Sequence, residues 1–173
     1  MFYGARSEHM SRTSRTLGFA AVGGFLGAIV MSVILVGSKV MMGLPATADF
    51  MVMGSFAGGQ GEGAVTVGLA AHFLTGIIVG LIFGAITGYV SNLTVTGIGR
   101  GLLFGVIYGF GVYIILFLPL LMMGFAPIMM AMMGPTAAAM APTVMAIGLV
   151  EHLIYGGILG TTVAYSARST VAQ

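Results

Sequence analysis

Four segments of this chain, Leu17 to Met42, Ala64 to Val90, Arg100 to Met123 and Thr143 to Ala167, are long apolar runs with almost no charge. At about 1.5 Å per helical residue, each is long enough to cross a hydrocarbon layer about 30 Å thick. Lipid offers no hydrogen bonds, so a run of this length must satisfy its own backbone groups, and it does so as a helix. The chain reads as an all-α integral membrane protein with four transmembrane helices. With 58% hydrophobic residues, 6% charged ones and a mean hydropathy of +1.11, it has no composition a soluble domain could use.

The segments divide the chain into a polar N-terminal tail at 1–16, a first two-helix unit at 17–90, a turn at 91–99, a second unit at 100–167 and a tail at 168–173. A secretory leader competes for the first run, because a basic start, an apolar stretch and Ala46-Thr47-Ala48 follow one another in that order. The run is too long for the apolar core of a leader. Each unit encloses a long loop. Residues 43–63 are Gly-rich and carry Pro45, Asp49 and Glu62, while residues 124–142 carry Pro127, Pro135 and Pro142 and no charge. So apolar a loop is expected in the interface or against a partner. Pro119 falls near the end of the third helix, where a kink is tolerated if neighbours satisfy the freed carbonyl.

Arg6, Arg12, Arg15, Arg100 and Arg168 fall on one side of this arrangement and Lys39 alone on the other. Basic residues mark the cytoplasmic face. Both termini are therefore expected in the cytoplasm of a cell or inner membrane, and both long loops outside. A net charge of +2 is too small for a nucleic-acid footprint, so nucleic acid is not expected as a partner. Cysteine is absent, which removes disulfides and thiolate chemistry.

The second and fourth helices share a pattern. Gly68, His72, Gly76, Gly80, Gly84 and Gly88 recur every fourth residue, and Gly148, His152, Gly156, Gly160 and Ala164 repeat the series. Gly23 and Gly27 correspond roughly to Gly105 and Gly109 in the first and third helices. The chain thus reads as a duplicated two-helix unit, two parallel repeats about a pseudo-twofold along the membrane normal. Helices in lipid associate by close packing, and residues without bulk at every fourth position let two backbones approach, so the stripe is a packing seam. It also places His72 and His152 on its inward face, at about the same depth, some 12 to 14 Å from the outer surface.

Glu151 has Ala71 as its counterpart and makes the pair of units asymmetric. A carboxylate at that depth must be protonated, paired or wetted. Two readings stand for the histidines. In one, each donates to a carbonyl or hydroxyl on a neighbouring helix and specifies packing. In the other, His72, His152 and Glu151, flanked by Thr75 and Tyr155 three residues beyond each histidine, form an intramembrane polar site that relays protons or holds a cation. Adjacent helical residues point about 100° apart, so either Glu151 or His152 is expected to face another subunit.

Methionine is abundant, with fifteen residues. Met129, Met130, Met132 and Met133 are the densest group, and thioether sulfur suits Cu(I); methionine is equally an adaptable apolar filler. Copper is the one cofactor the sequence suggests. No catalytic constellation or nucleotide loop is present, so no enzyme activity and no soluble substrate is expected.

The repeated His-x-x-x-Gly-x-x-x-Gly at His72-Gly76-Gly80 and His152-Gly156-Gly160 resembles that of small four-helix membrane proteins of archaea and bacteria, most without an assigned function. A small Met-rich, His-containing helical chain also looks like the accessory membrane subunits around copper monooxygenases, the archaeal ammonia monooxygenase complex among them. No residue here matches that enzyme's catalytic ligands, so the resemblance implies an auxiliary role. Two classes follow: an accessory subunit that docks other membrane chains, or a small homo-oligomeric transporter or channel passing protons or a cation by His72, His152 and Glu151. Below the histidines only Thr87, Thr161 and Thr162 continue a polar path, which favours the accessory class.

Overall fold

The computed structural model describes the backbone of residues 2–168 and the side chains of residues 13–167. The described chain is helical, with no strand: α1 Phe2–Met41, α2 Ala48–Phe56, α3 Gly63–Tyr89, α4 Ile98–Val112, α5 Leu118–Leu120, α6 Ala126–Met133 and α7 Pro135–Arg168. Four stretches are long and apolar enough to span a membrane: Thr13–Met41, Gly63–Tyr89, Ile98–Met133 and Pro135–Ala167. The protein is an integral membrane protein of four spans.

Two parts of the expected organisation are revised. Much of the segment read as an N-terminal tail, residues 1–16, belongs to α1, which begins at Phe2. Arg6, Arg12 and Arg168, used above to orient the chain, lie outside the described side chains, as does the tail beyond Arg168. The segment 124–142 is not a loop. The third span continues through α5 and α6 to Met133, and α7 starts at Pro135, so the connection shrinks to Gly134. Its φ of 60° is a conformation that glycine adopts without strain, and Pro135 suits a first helical position because it lacks an N–H.

The prolines do not break the third span because π-helical turns absorb them. Pro119 can give no hydrogen bond to Ile115, and Pro127 gives none to Met123. Ile115 lies within a π turn at Tyr113–Phe117 and Met123 within a second at Leu121–Phe125. Each wider turn falls where a proline ring would crowd the carbonyl four residues back.

The spans pack as a curved row in the order α3, α1, α7, α4, with α2 lying on α3. Small residues let the backbones touch. Gly24 of α1 lies against Gly76 and Gly80 of α3, and Ala20 lies against Gly84. Thr13 meets Gly88 further down, and Gly68 meets the Phe50 carbonyl of α2. In the second half Gly101 and Gly105 of α4 lie against Gly160 and Gly156 of α7, and Phe117 fills the space at Gly148. Arg15 and Arg100 therefore stand at one end of the row and Lys39 at the other. Toward the arginine end the row closes on a core of Ala20, Phe83, Leu159, Val163 and Ala164. Toward the Lys39 end α3 and the third span separate.

Candidate functional site

Between α3 and the third span, in the half nearer Lys39, lies a cavity of about 330 Å³. His72, Thr75, Glu151, His152 and Tyr155 all line it. The two halves of the chain thus bring their ionisable residues to one space. Its remaining wall is apolar, with Met31, Leu35, Met53, Phe56, Leu116 and Phe117 contributing. Phe56, Thr75 and Leu116 are themselves exposed, so the cavity opens sideways, toward where lipid would lie.

The polar groups are held by the backbone. His72 donates from Nε2 to the Ala28 carbonyl of α1 at 3.1 Å, with Phe50 and Phe73 edge-on to its ring. His152 donates from Nδ1 to the Gly148 carbonyl, one turn back in its own helix, at 2.7 Å. Its ring packs on Phe117, 4.9 Å between centroids, and on Tyr113. Tyr155 crosses from α7 to donate to the Gly76 carbonyl at 2.6 Å. One histidine therefore joins two helices and the other does not.

Glu151 and His152 both face inward, against the expectation that one of them would turn to another subunit. Glu151 is 2% exposed and His152 8%. The reason is that α7 lies between α1 and α4, so an arc wider than 100° of its surface is covered by protein. Glu151 Oε1 has no hydrogen-bond partner.

Sequence reasoning missed Lys39 and Asp49 as neighbours of this site. Their side chains, both largely buried, form an ion pair at 3.1 Å, and they line a second cavity of about 40 Å³ whose wall includes Glu151. Glu151 thus stands between the ion pair and the histidines. Asp49 sits in the first turn of α2, where the helix dipole favours a carboxylate. Burial nevertheless raises its pKa, with Lys39 pulling it back. The ten-residue spacing of Lys39 and Asp49 across Gly43 and Pro45 was the available signal.

The methionines of the cluster divide between two faces of one helix. Met129, Met130, Met132 and Met133 lie on α6; Met129 turns inward against Leu121 and Phe125, whereas Met130 and Met132 are exposed. Among the described residues no three His, Asp or Glu side chains are grouped closely enough to hold a metal ion.

Toward the arginine end three threonines are turned back on their own helices. Thr87, Thr161 and Thr162 each donate to a carbonyl one turn back in their own helix, at 2.9, 2.7 and 2.8 Å. Just below the cavity Tyr108 of α4 donates to the Val79 carbonyl of α3 at 2.8 Å and packs on Phe83.

Fold and site together define a four-span helical membrane protein with a mostly apolar cavity, carrying a few polar side chains, in one half of its thickness. The chain belongs to a family of unknown function (DUF6789), whose pattern matches residues 14–173. No curated protein and no solved structure matches it.

Proposed function

We propose that the protein binds a small molecule within the membrane, as the binding half of a transport cycle, with no chemical step. The observation that carries this reading is Glu151: a 2%-exposed carboxylate with one oxygen unpartnered, on the wall of a 330 Å³ cavity. Leaving a buried acceptor unmet is unfavourable unless something else occupies the space. The volume is at the lower end for a small-molecule site, and a mostly apolar wall with a few convergent polar groups is how such sites are built. By the arginine distribution the cavity lies in the outer half, with both termini cytoplasmic. Among the described residues no continuous polar path crosses the chain, so passage requires the floor at Tyr108 and Val79 to open.

The test is to fill the cavity. Ala71 lines it, so Ala71→Phe removes space without touching an ionisable residue. Native mass spectrometry of the full chain in lipid nanodiscs is expected to show a small-molecule adduct on the wild type that the variant lacks. Identical spectra without any adduct, before and after incubation with a library of small amphiphiles, would argue against the reading.

An accessory role beside other membrane subunits, including those of a copper-dependent complex, has one observation in its favour. Met122, Met123, Met130 and Met132 stand exposed on the third span, a soft surface for another helix. Extraction in a mild detergent decides it: other subunits should be recovered in fixed ratio.

A further inference from the structure

The hydrogen-bonding state of the cavity points to the ligand's chemistry, and this inference rests on the binding role proposed above. Every donor whose bond is resolved on the wall is already used on a backbone carbonyl. His72 has given its Nε2 proton to Ala28, His152 its Nδ1 proton to Gly148, and Tyr155 its hydroxyl proton to Gly76. In a neutral imidazole the other ring nitrogen is then an acceptor, and the Tyr155 oxygen keeps its lone pairs. Glu151 adds an unpartnered carboxylate oxygen. Lys39 faces the carboxylate of Asp49 at 3.1 Å, so its charge is already countered. Apart from the rim hydroxyl of Thr75, the wall therefore presents acceptors and one acid without a counter-charge beside it.

We infer that the cavity takes a small lipophilic ammonium ion, a primary or secondary amine in its protonated form carrying an apolar body. Its N–H groups meet Glu151 and the free nitrogens of His72 and His152. Its charge balances Glu151, and Phe117 lines the same space. The apolar body fits among Met31, Leu35 and Met53. The sideways mouth at Thr75, Phe56 and Leu116 suits a molecule that partitions into the bilayer before it binds. An anion would face the Glu151 acid with only the rim hydroxyl of Thr75 as a donor not already resolved on a carbonyl, and a neutral apolar molecule would leave Glu151 unmet.

The experiment compares three probes of one shape on the full chain in phosphatidylcholine nanodiscs by ligand-observed NMR: 2-phenylethylammonium, 2-phenylethanol and 3-phenylpropionate. Ala71→Phe supplies the baseline for partition into lipid. The ammonium is expected to bind at least about tenfold tighter than the other two, and Glu151→Gln to lower its affinity by about tenfold or more. If Glu151→Gln does not fold, the three-probe series on the wild type still decides. Adding phosphatidylethanolamine separates two sources of the same chemistry: suppression of probe binding marks a lipid headgroup as the occupant, and no suppression marks a free amine. Equal binding of all three probes above the Ala71→Phe baseline would overturn the ammonium assignment and leave the binding role standing. No probe rising above that baseline would overturn both.

Discussion

Tyr155 of α7 reaches over Gly27 of α1 to the Gly76 carbonyl of α3, 2.6 Å away, so one side chain ties three spans together. A Cβ on Gly27 would lie 2.5 Å from the tyrosine ring. Two substitutions separate the bond from the fit. Tyr155→Phe removes the hydroxyl and is expected to destabilise by about 0.5–1.5 kcal/mol, the range of interhelical hydrogen bonds in membranes. Gly27→Val displaces the whole ring and is expected to exceed it, at about 1–3 kcal/mol. Gly37→Ala, with nothing within 4 Å of the added carbon, is the control. Unfolding in mixed micelles measures all three; equal losses for Gly27 and Gly37 would contradict the packing account.

The contact between α4 and α7 makes a related prediction. Gly105 and Gly156 each lie against the other's carbonyl, so neither can accept a side chain without the helices parting. Gly105→Ile is expected to lower the midpoint of thermal unfolding far more than Gly111→Ile, whose position on the adjoining face is open. A similar shift for both would mean that helix propensity, not the crossing, sets the effect.

Lys39 and Asp49 make a prediction about charge. Asp49→Ala leaves a nearly buried ammonium without a partner and is expected to lose about 3–5 kcal/mol, whereas Lys39→Met with Asp49→Leu is expected to be close to neutral. The acid's own titration has a defined sign. Burial holds its folded-state pKa above the ordinary 3.8, with Lys39 opposing. That contribution is fully present below the unfolded pKa and is lost as pH rises through the folded pKa. The stability difference between wild type and Asp49→Asn should therefore shrink from about pH 4 upward. A difference that grows with pH would show that the ammonium, not burial, governs Asp49.

The legible part of this fold is what lipid dictates. The four spans follow from length and hydropathy, and an inward face shared by His72 and His152 is expected because they ride on glycine-spaced helices that must pack closely. Residues 124–142 were misread because prolines usually mark ends. Here the π turns before Pro119 and Pro127 keep the helix going, and nothing in the composition signals a π turn. The Lys39–Asp49 pair was hidden because its partnership depends on how α2 folds back over the spans. Glu151 and His152 were expected to part company because the covered arc of α7 depends on having helices on both flanks.

The sideways mouth of the cavity can be tested without removing anything first, since the chain has no cysteine. Thr75 lines the cavity and is exposed at its rim, whereas Val163, in the closed half, is 1% exposed. In a reconstituted bilayer, a cysteine placed by Thr75→Cys is expected to react with a lipid-soluble maleimide, and one placed by Val163→Cys to remain unmodified. Occupancy of the cavity should then slow labelling at position 75, so 2-phenylethylammonium protects it if the ammonium inference holds. Tyr108→Phe should not alter labelling at position 75, because the Tyr108–Val79 bond lies below the mouth, but should raise reactivity at position 163 if that bond latches the floor. A Thr75→Cys chain as inert as Val163→Cys would mean that the mouth is shut in the membrane, and a cross-linked dimer in the same sample would identify a second copy as its cover.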